Sequence, residues 1–173
     1  MLKLKRMQSV LTGVLVGLLA LTATAQAPQV TLKTIDDRAV SLSEWQGKVV
    51  VLSFGATWVP LAAKELPALQ KLADRYATRG VQVYWVSVNS ATPGAKGYSS
   101  SADLGAFAEK NGFRNRVLRD PEKAANRAFG VDALPTVVIL NKDGQVARKV
   151  VGFDPDQGEA YAPVMKELEQ LLK

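Results

Sequence analysis

The chain has 173 residues, of which 47% are hydrophobic and 22% charged, a composition typical of a globular protein. It contains no cysteine and no histidine, which excludes a disulfide, a thiolate nucleophile, a Cys/His zinc site and a Ser-His-Asp triad within the chain. The formal net charge is +6.

The first 25 residues have the pattern of a secretory signal peptide. Basic residues precede an apolar run over 10–20, and an Ala-x-Ala cleavage site ends at Ala25. An uncleaved membrane anchor is the alternative, but the run is shorter than the roughly 18 residues typical of a spanning helix. We therefore predict an exported protein, periplasmic or extracellular, with a signal peptide over 1–25 and one mature domain over 26–173. The membrane is expected as a partner only through an uncleaved signal segment.

Removal of the signal peptide would take away three basic residues and no acidic residue. The net charge of the remaining chain would be +3, a mild excess that does not indicate nucleic-acid binding. A second basic stretch over 109–127 has a local excess of three positive charges. We interpret it as a solvated face; a face toward an acidic partner or anionic lipid is the alternative.

The mature chain alternates strand and helix patterns, which predicts one α/β domain with a central mixed sheet. The predicted strands cover 30–35, 39–42, 48–54, 81–88, 136–140 and 145–151. The predicted helices cover 60–78, the segment from a capping box at Ser100 to 111, the segment from a cap at Asp120 to 130, and 157–172 with a cap formed by Asp156 and Glu159. The first two strands form a hairpin.

The segment over 54–69 reads Phe-Gly-Ala-Thr-Trp-Val-Pro-Leu-Ala-Ala-Lys-Glu-Leu-Pro-Ala-Leu. It resembles the extracytoplasmic thiol-disulfide oxidoreductases of the TlpA/ResA type, relatives of the redoxins and of the AhpC/TSA proteins. Members of that family carry an aromatic-Ala-Thr-Trp-Cys-x-x-Cys stretch that opens a helix, followed by Glu-x-Pro. The strand end at 87–89 and the segment over 129–136 are similar to further family motifs. The resemblance implies a thioredoxin-like fold with an N-terminal β-hairpin, and a cis peptide bond before Pro135.

Val59 and Ala62 stand where this family has its two cysteines. Thiol-disulfide exchange requires a thiolate that attacks a disulfide sulfur, and neither side chain contains sulfur. We therefore predict no catalytic residue for redox chemistry, and a protein that is redox-inactive on its own.

The apolar residues around the two replaced positions suggest a surface that binds a protein or peptide without a covalent bond. In related proteins the backbone beside the cis-proline pairs with substrate backbone, a form of strand addition. The alternative is that apolar side chains simply fill a dead site, as buried apolar residues usually do. We call the candidate set the docking surface; its residues are Trp58, Val59, Pro60, Leu61, Ala62, Leu134 and Pro135.

Two other functions are compatible with the sequence. The chain could be an inactivated reductase, with the cysteines lost naturally or replaced by design, or an accessory subunit of one in cell redox homeostasis. The family's acidic groups near the motif help to manage thiol protons. Without thiols we expect Glu65 to be an ordinary solvated residue on a helix face.

No sequence motif indicates a cofactor or a metal. There is no P-loop and no dinucleotide fingerprint. The acidic segment over 154–159 departs from a calcium loop, because its glycine is at the fifth place and Met165 stands where the bidentate glutamate would be.

Overall fold

The structure is a computed structural model that describes residues 30–173. The predicted signal peptide over 1–25 and the first residues of the predicted mature domain lie outside the described residues. No helix within 30–173 is both long enough and apolar enough to cross a membrane.

The described chain forms one seven-stranded mixed sheet with helices on both faces. The strands are β1 (Thr31–Thr34), β2 (Ala39–Ser41), β3 (Val50–Gly55), β4 (Gln82–Ser87), β5 (Val117–Arg119), β6 (Thr136–Leu140) and β7 (Val146–Val151). The α-helices are α1 (Ala62–Tyr76), α2 (Ser101–Lys110), α3 (Ala124–Ala128) and α4 (Ala162–Leu171). The strand order is β2-β1-β5-β4-β3-β6-β7. The predicted α/β class, mixed sheet and N-terminal hairpin are confirmed.

The central strand β3 lies in the middle of the core and separates its two halves. It pairs in parallel with β4 and antiparallel with β6, and all six of its residues are buried. Because side chains alternate along a strand, Val51 faces a core that contains apolar residues of α1, α2 and α4, and Leu52 faces a second core that includes residues of α3. The apolar run recognised in the sequence is therefore buried on both faces of the sheet.

The structure corrects several predicted boundaries. β5 was not predicted, because three residues between two neighbouring strands are too short to show a period. The last helix begins at Ala162 rather than at 157, and Tyr161 rather than Asp156 precedes it. Pro163 lies in its first turn, where no backbone N–H is needed. Asp120 does accept hydrogen bonds from the N–H groups of 125 and 126, but α3 begins only at Ala124.

Candidate functional site

The docking surface lies at one end of the sheet, where the chain leaves β3 and enters β6. The two strands run antiparallel with Phe54 opposite Thr136, so the turn after β3 and the residues before β6 meet at the same edge. The Val59 N–H donates to the Ala56 carbonyl oxygen at 3.0 Å, and the Ala62 N–H donates to the Val59 carbonyl oxygen at 3.0 Å. These bonds place Val59 in the turn that leads directly into the first residue of α1.

The seven residues of the docking surface differ in accessibility. Trp58 is 49% exposed, Pro60 is exposed, and Val59, Leu61 and Leu134 are half-buried. Ala62 and Pro135 are buried beneath them. Val59 and Leu134 both pack against the second core. The site thus presents partly accessible apolar side chains on a buried apolar base.

Leu134 also has backbone groups that are open to a partner. The Leu134–Pro135 peptide bond is cis, and neighbouring carbonyl groups are occupied: Pro135 accepts from the Gly152 N–H at 2.8 Å, and Ala133 accepts from the Thr136 hydroxyl at 2.8 Å. Within residues 30–173, the Leu134 N–H and carbonyl make no hydrogen bond. Unpaired backbone groups beside an extended strand are what strand addition requires.

Asn89 fixes the turn that carries Trp58. It is fully buried just beyond β4, and its Oδ1 accepts from the Thr57 N–H at 3.1 Å and from the Ser87 hydroxyl at 2.9 Å. Its Nδ2 donates to the Thr57 hydroxyl, the Ser99 hydroxyl and the Gly97 carbonyl at 2.8, 2.8 and 3.1 Å. One side chain therefore ties the turn after β3 to the loop over 90–99. The sequence marked this residue only as part of a family motif.

The indole of Trp58 lies against the backbone of that loop. A Cβ atom built on Gly97 would lie only 2.7 Å from Cζ3 of Trp58. Gly97 also has φ +73°, in the left-handed region that glycine adopts most easily. A glycine at this position therefore lets the ring rest on the loop.

Arg119 also fixes this loop, and it is the exception among the basic residues over 109–127, whose other members are exposed as expected. It is 7% exposed, and its guanidinium donates to the Ser99 carbonyl at 2.7 Å and to the Ser101 hydroxyl at 2.9 Å. Hydrogen bonds of a charged donor to carbonyl oxygens are stronger than neutral ones. The loop beneath Trp58 is thus fixed by two buried polar side chains, Asn89 and Arg119.

The expectation that Glu65 would be a solvated helix-face residue is wrong. Glu65 is 1% exposed, and its Oε1 accepts hydrogen bonds from the Ser53 hydroxyl and, at 3.0 Å, from the Tyr161 hydroxyl. The helical period could have shown this, since Ala62, Glu65 and Leu69 fall on one stripe that is buried along α1.

Burial changes the acid–base behaviour of Glu65. Desolvation raises the pKa of this carboxyl group to about 7, although the two hydroxyl hydrogen bonds oppose the shift. Its Oε2 has no hydrogen-bond partner among the described residues. A buried carboxyl group one turn beyond Ala62 is therefore able to exchange a proton near neutral pH.

No group of three or more acidic residues within 30–173 is arranged to hold a metal ion. What the described site offers is an apolar, partly exposed surface, open backbone groups and one buried acid. It offers no nucleophile at the two positions where Val59 and Ala62 begin α1.

Comparison with known proteins relates this geometry to a family. The model of the AhpC/TSA family matches residues 23–149. The thioredoxin-like protein YneN of Bacillus subtilis (strain 168) is 33% identical over 147 residues, which cover 85% of this chain and 76% of YneN. The thiol-disulfide oxidoreductase ResA of Geobacillus thermodenitrificans (strain NG80-2) is 28% identical over 133 residues, 77% of this chain and 71% of that protein.

A solved structure agrees in fold. The pneumococcal exposed lipoprotein thioredoxin of Streptococcus pneumoniae strain TIGR4 superimposes with a TM-score of 0.62 at 28% identity, over 81% of this chain and 99% of that chain. The chain therefore belongs to the AhpC/TSA family and to its thioredoxin-like members of the ResA/TlpA type, with Val59 and Ala62 where thiol-disulfide oxidoreductases of that type carry their two cysteines.

Proposed function

We propose that this protein is an exported, redox-inactive member of its family that binds an extended peptide segment of a partner protein non-covalently at the docking surface. The observation that carries the proposal is Leu134, whose backbone N–H and carbonyl have no partner within residues 30–173. A peptide strand can pair with these two groups while its side chains contact Trp58 and Val59.

The exposed side chains of the docking surface favour peptide binding over the alternative, in which apolar residues only fill the space left by the lost cysteines. A residue that only fills space becomes buried, as Ala62 is at 1% exposure. Trp58 keeps 49% of its surface exposed while its position is fixed against Gly97. A fixed aromatic side chain loses little conformational entropy on binding, which favours its use as an anchor.

Export is supported by the amino-terminal sequence, which has a basic start, a short apolar run and an Ala-x-Ala site ending at Ala25. The exposed lipoprotein thioredoxin of Streptococcus pneumoniae, a related protein, adds weight to this placement. Expression of the full chain in bacterial cells, followed by fractionation and amino-terminal sequencing, tests it. We expect a periplasmic protein that begins at Gln26; a full-length protein retained in the cytoplasm would contradict export.

The binding proposal is tested by titrating the full chain with soluble, uncharged, cysteine-free peptides in a calorimeter. Trp58→Glu and Leu134→Glu should each weaken peptide binding at least tenfold, because each puts a charge into an apolar contact. Val146→Glu is the matched control, since Val146 is 41% exposed on β7 and lies outside the docking surface. Affinity that is equal in all four proteins would refute the proposal.

A second candidate, an inactivated thiol-disulfide reductase, is favoured by the buried Glu65. A carboxyl group whose pKa is raised to about 7 is suited to proton transfer with thiols near neutral pH, although this chain has none. Val59→Cys combined with Ala62→Cys should restore insulin reduction by dithiothreitol above that of the unmodified chain, because the start of α1 stabilises a thiolate. A restored pair that folds and stays inactive would contradict this candidate.

A further inference from the structure

We propose that a cavity on the outer side of α1 binds an acidic, extended segment of a partner protein, and that Lys64 and Lys71 take its carboxylate groups. The cavity shares no residue with the docking surface. The inference therefore goes beyond the proposed function and does not depend on it.

The cavity lies between the exposed face of α1 and the segment over 153–161 that leads into α4. Its volume is about 420 Å³, within the range typical of ligand sites. Phe153 and Tyr161 line it, with ring centroids 5.6 Å apart, and Pro67 and Met165 contribute further apolar surface. These side chains offer an apolar base on which one side chain of a ligand can lie.

The charges that line the cavity are mainly positive. Lys64, Lys71 and Arg75 come from α1, and Glu159 is the one acidic residue of the lining. Arg75 forms an ion pair with Glu159 at 3.5 Å. The ammonium groups of Lys64 and Lys71 have no hydrogen bond or ion pair within residues 30–173. Two unpaired cations beside an apolar base are complementary to a ligand that carries both acidic and apolar side chains.

The spacing of the two lysines favours an extended peptide over a compact anion. Lys71 lies seven positions after Lys64 on α1, which corresponds to about 10.5 Å along the helix axis. In an extended chain, residues four positions apart are separated by about 13 Å, and their side chains point to the same side. Two carboxylates on such a peptide can each meet one lysine, with the intervening side chain directed toward Phe153 and Tyr161.

A short synthetic peptide tests the proposal on the full chain. The probe is acetyl-Gly-Glu-Ser-Phe-Ser-Glu-Gly-amide, in which both glutamates and the phenylalanine share one side of an extended chain, and the control peptide has glutamine in place of both glutamates. At low salt we expect the acidic peptide to bind at least tenfold more tightly than its control, and we expect its affinity to fall as salt is added. Failure of the acidic peptide to bind, or equal binding of the two peptides, would overturn the proposal.

Charge reversal locates the site. Lys64→Glu with Lys71→Glu should weaken binding of the acidic peptide at least tenfold, whereas the control pair Lys48→Glu with Lys142→Glu changes the net charge equally at exposed positions outside the cavity and should have little effect. Equal losses in the two pairs would show non-specific electrostatic attraction and would contradict the site.

Two single variants complete the test. Phe153→Ala should also weaken binding, because it removes part of the apolar base, and unchanged affinity in this variant would argue against the proposed pose. Leu134→Glu should leave binding of the acidic peptide unchanged. Failure of the docking surface and failure of this cavity are therefore distinguishable, and loss of acidic-peptide binding in Leu134→Glu would contradict a separate site.

Discussion

Gly97→Ala should displace Trp58, and Gly94→Ala should not. Both glycines have positive φ, +73° at Gly97 and +79° at Gly94. Each alanine therefore bears the roughly 1–2 kcal/mol that the left-handed conformation costs an L residue. The difference between them is steric. A Cβ on Gly97 would lie 2.7, 3.1 and 3.1 Å from three ring carbons of Trp58, whereas one on Gly94 has no atom within 4 Å.

The short distance between a Cβ on Gly97 and the Trp58 ring determines how far the ring must move. Carbon atoms pack at about 3.5–4.0 Å, so the indole must move by roughly 1 Å away from the loop. Acrylamide quenching of tryptophan fluorescence reports this movement, because Trp45 and Trp85 are only 4% and 0% exposed while Trp58 is 49% exposed. We expect stronger quenching and red-shifted emission in Gly97→Ala only. Identical quenching in the two variants would refute the contact between Trp58 and Gly97.

The remaining predictions concern buried polar side chains. Burial raises the pKa of Glu65 to about 7. Between about pH 4.5 and pH 7 the folded chain therefore keeps a proton that the unfolded chain releases. The free energy of unfolding should fall over that window by on the order of 3 kcal/mol. Glu65→Gln should remove this fall in thermal melts, which the absence of histidine makes easy to isolate; parallel curves for the two proteins would contradict the assignment. Asn89→Ala leaves the Thr57 N–H without its partner and removes the amide's hydrogen bonds to the Thr57 and Ser99 hydroxyls, and it should lower the free energy of unfolding by roughly 2–3 kcal/mol in urea. The exposed Asn115→Ala should change it little, and similar losses in both variants would count against the proposed role of Asn89.

The sequence was most informative where a pattern is long and local. The β-branched run over 48–54 predicted the buried strand β3, and the capping box at Ser100 predicted the start of α2, where the Ser100 hydroxyl accepts from the Asp103 N–H at 3.1 Å. Both features depend on neighbours in the chain. The last helix was misplaced because Asp156 and Glu159 look like a cap in sequence, although Glu159 instead pairs with Arg75 of α1.

The polar interior of the site could not be predicted in the same way. Glu65 is buried against Ser53 and Tyr161, which are 12 and 96 residues away in the chain. Arg119 reaches Ser99 across 20 residues. A polar side chain whose partners are distant in the chain produces no periodic pattern in the sequence. Its residue type alone then predicts that it is exposed to solvent. Only the position of Glu65 on the apolar stripe of α1 pointed to its burial.

Protection of Trp58 by a bound peptide is the critical test of non-covalent peptide binding at the docking surface. The full chain is titrated with the uncharged, cysteine-free peptide that binds best in calorimetry, and acrylamide quenching of tryptophan fluorescence is recorded at each step. If no peptide binds in calorimetry, each peptide is added at its highest soluble concentration instead. Because Trp58 is the exposed tryptophan of the docking surface, we predict that quenching falls toward the level of the two buried tryptophans as the peptide saturates this surface. Quenching that is unchanged at saturation, or an absence of binding by every peptide, would contradict non-covalent peptide binding at this site.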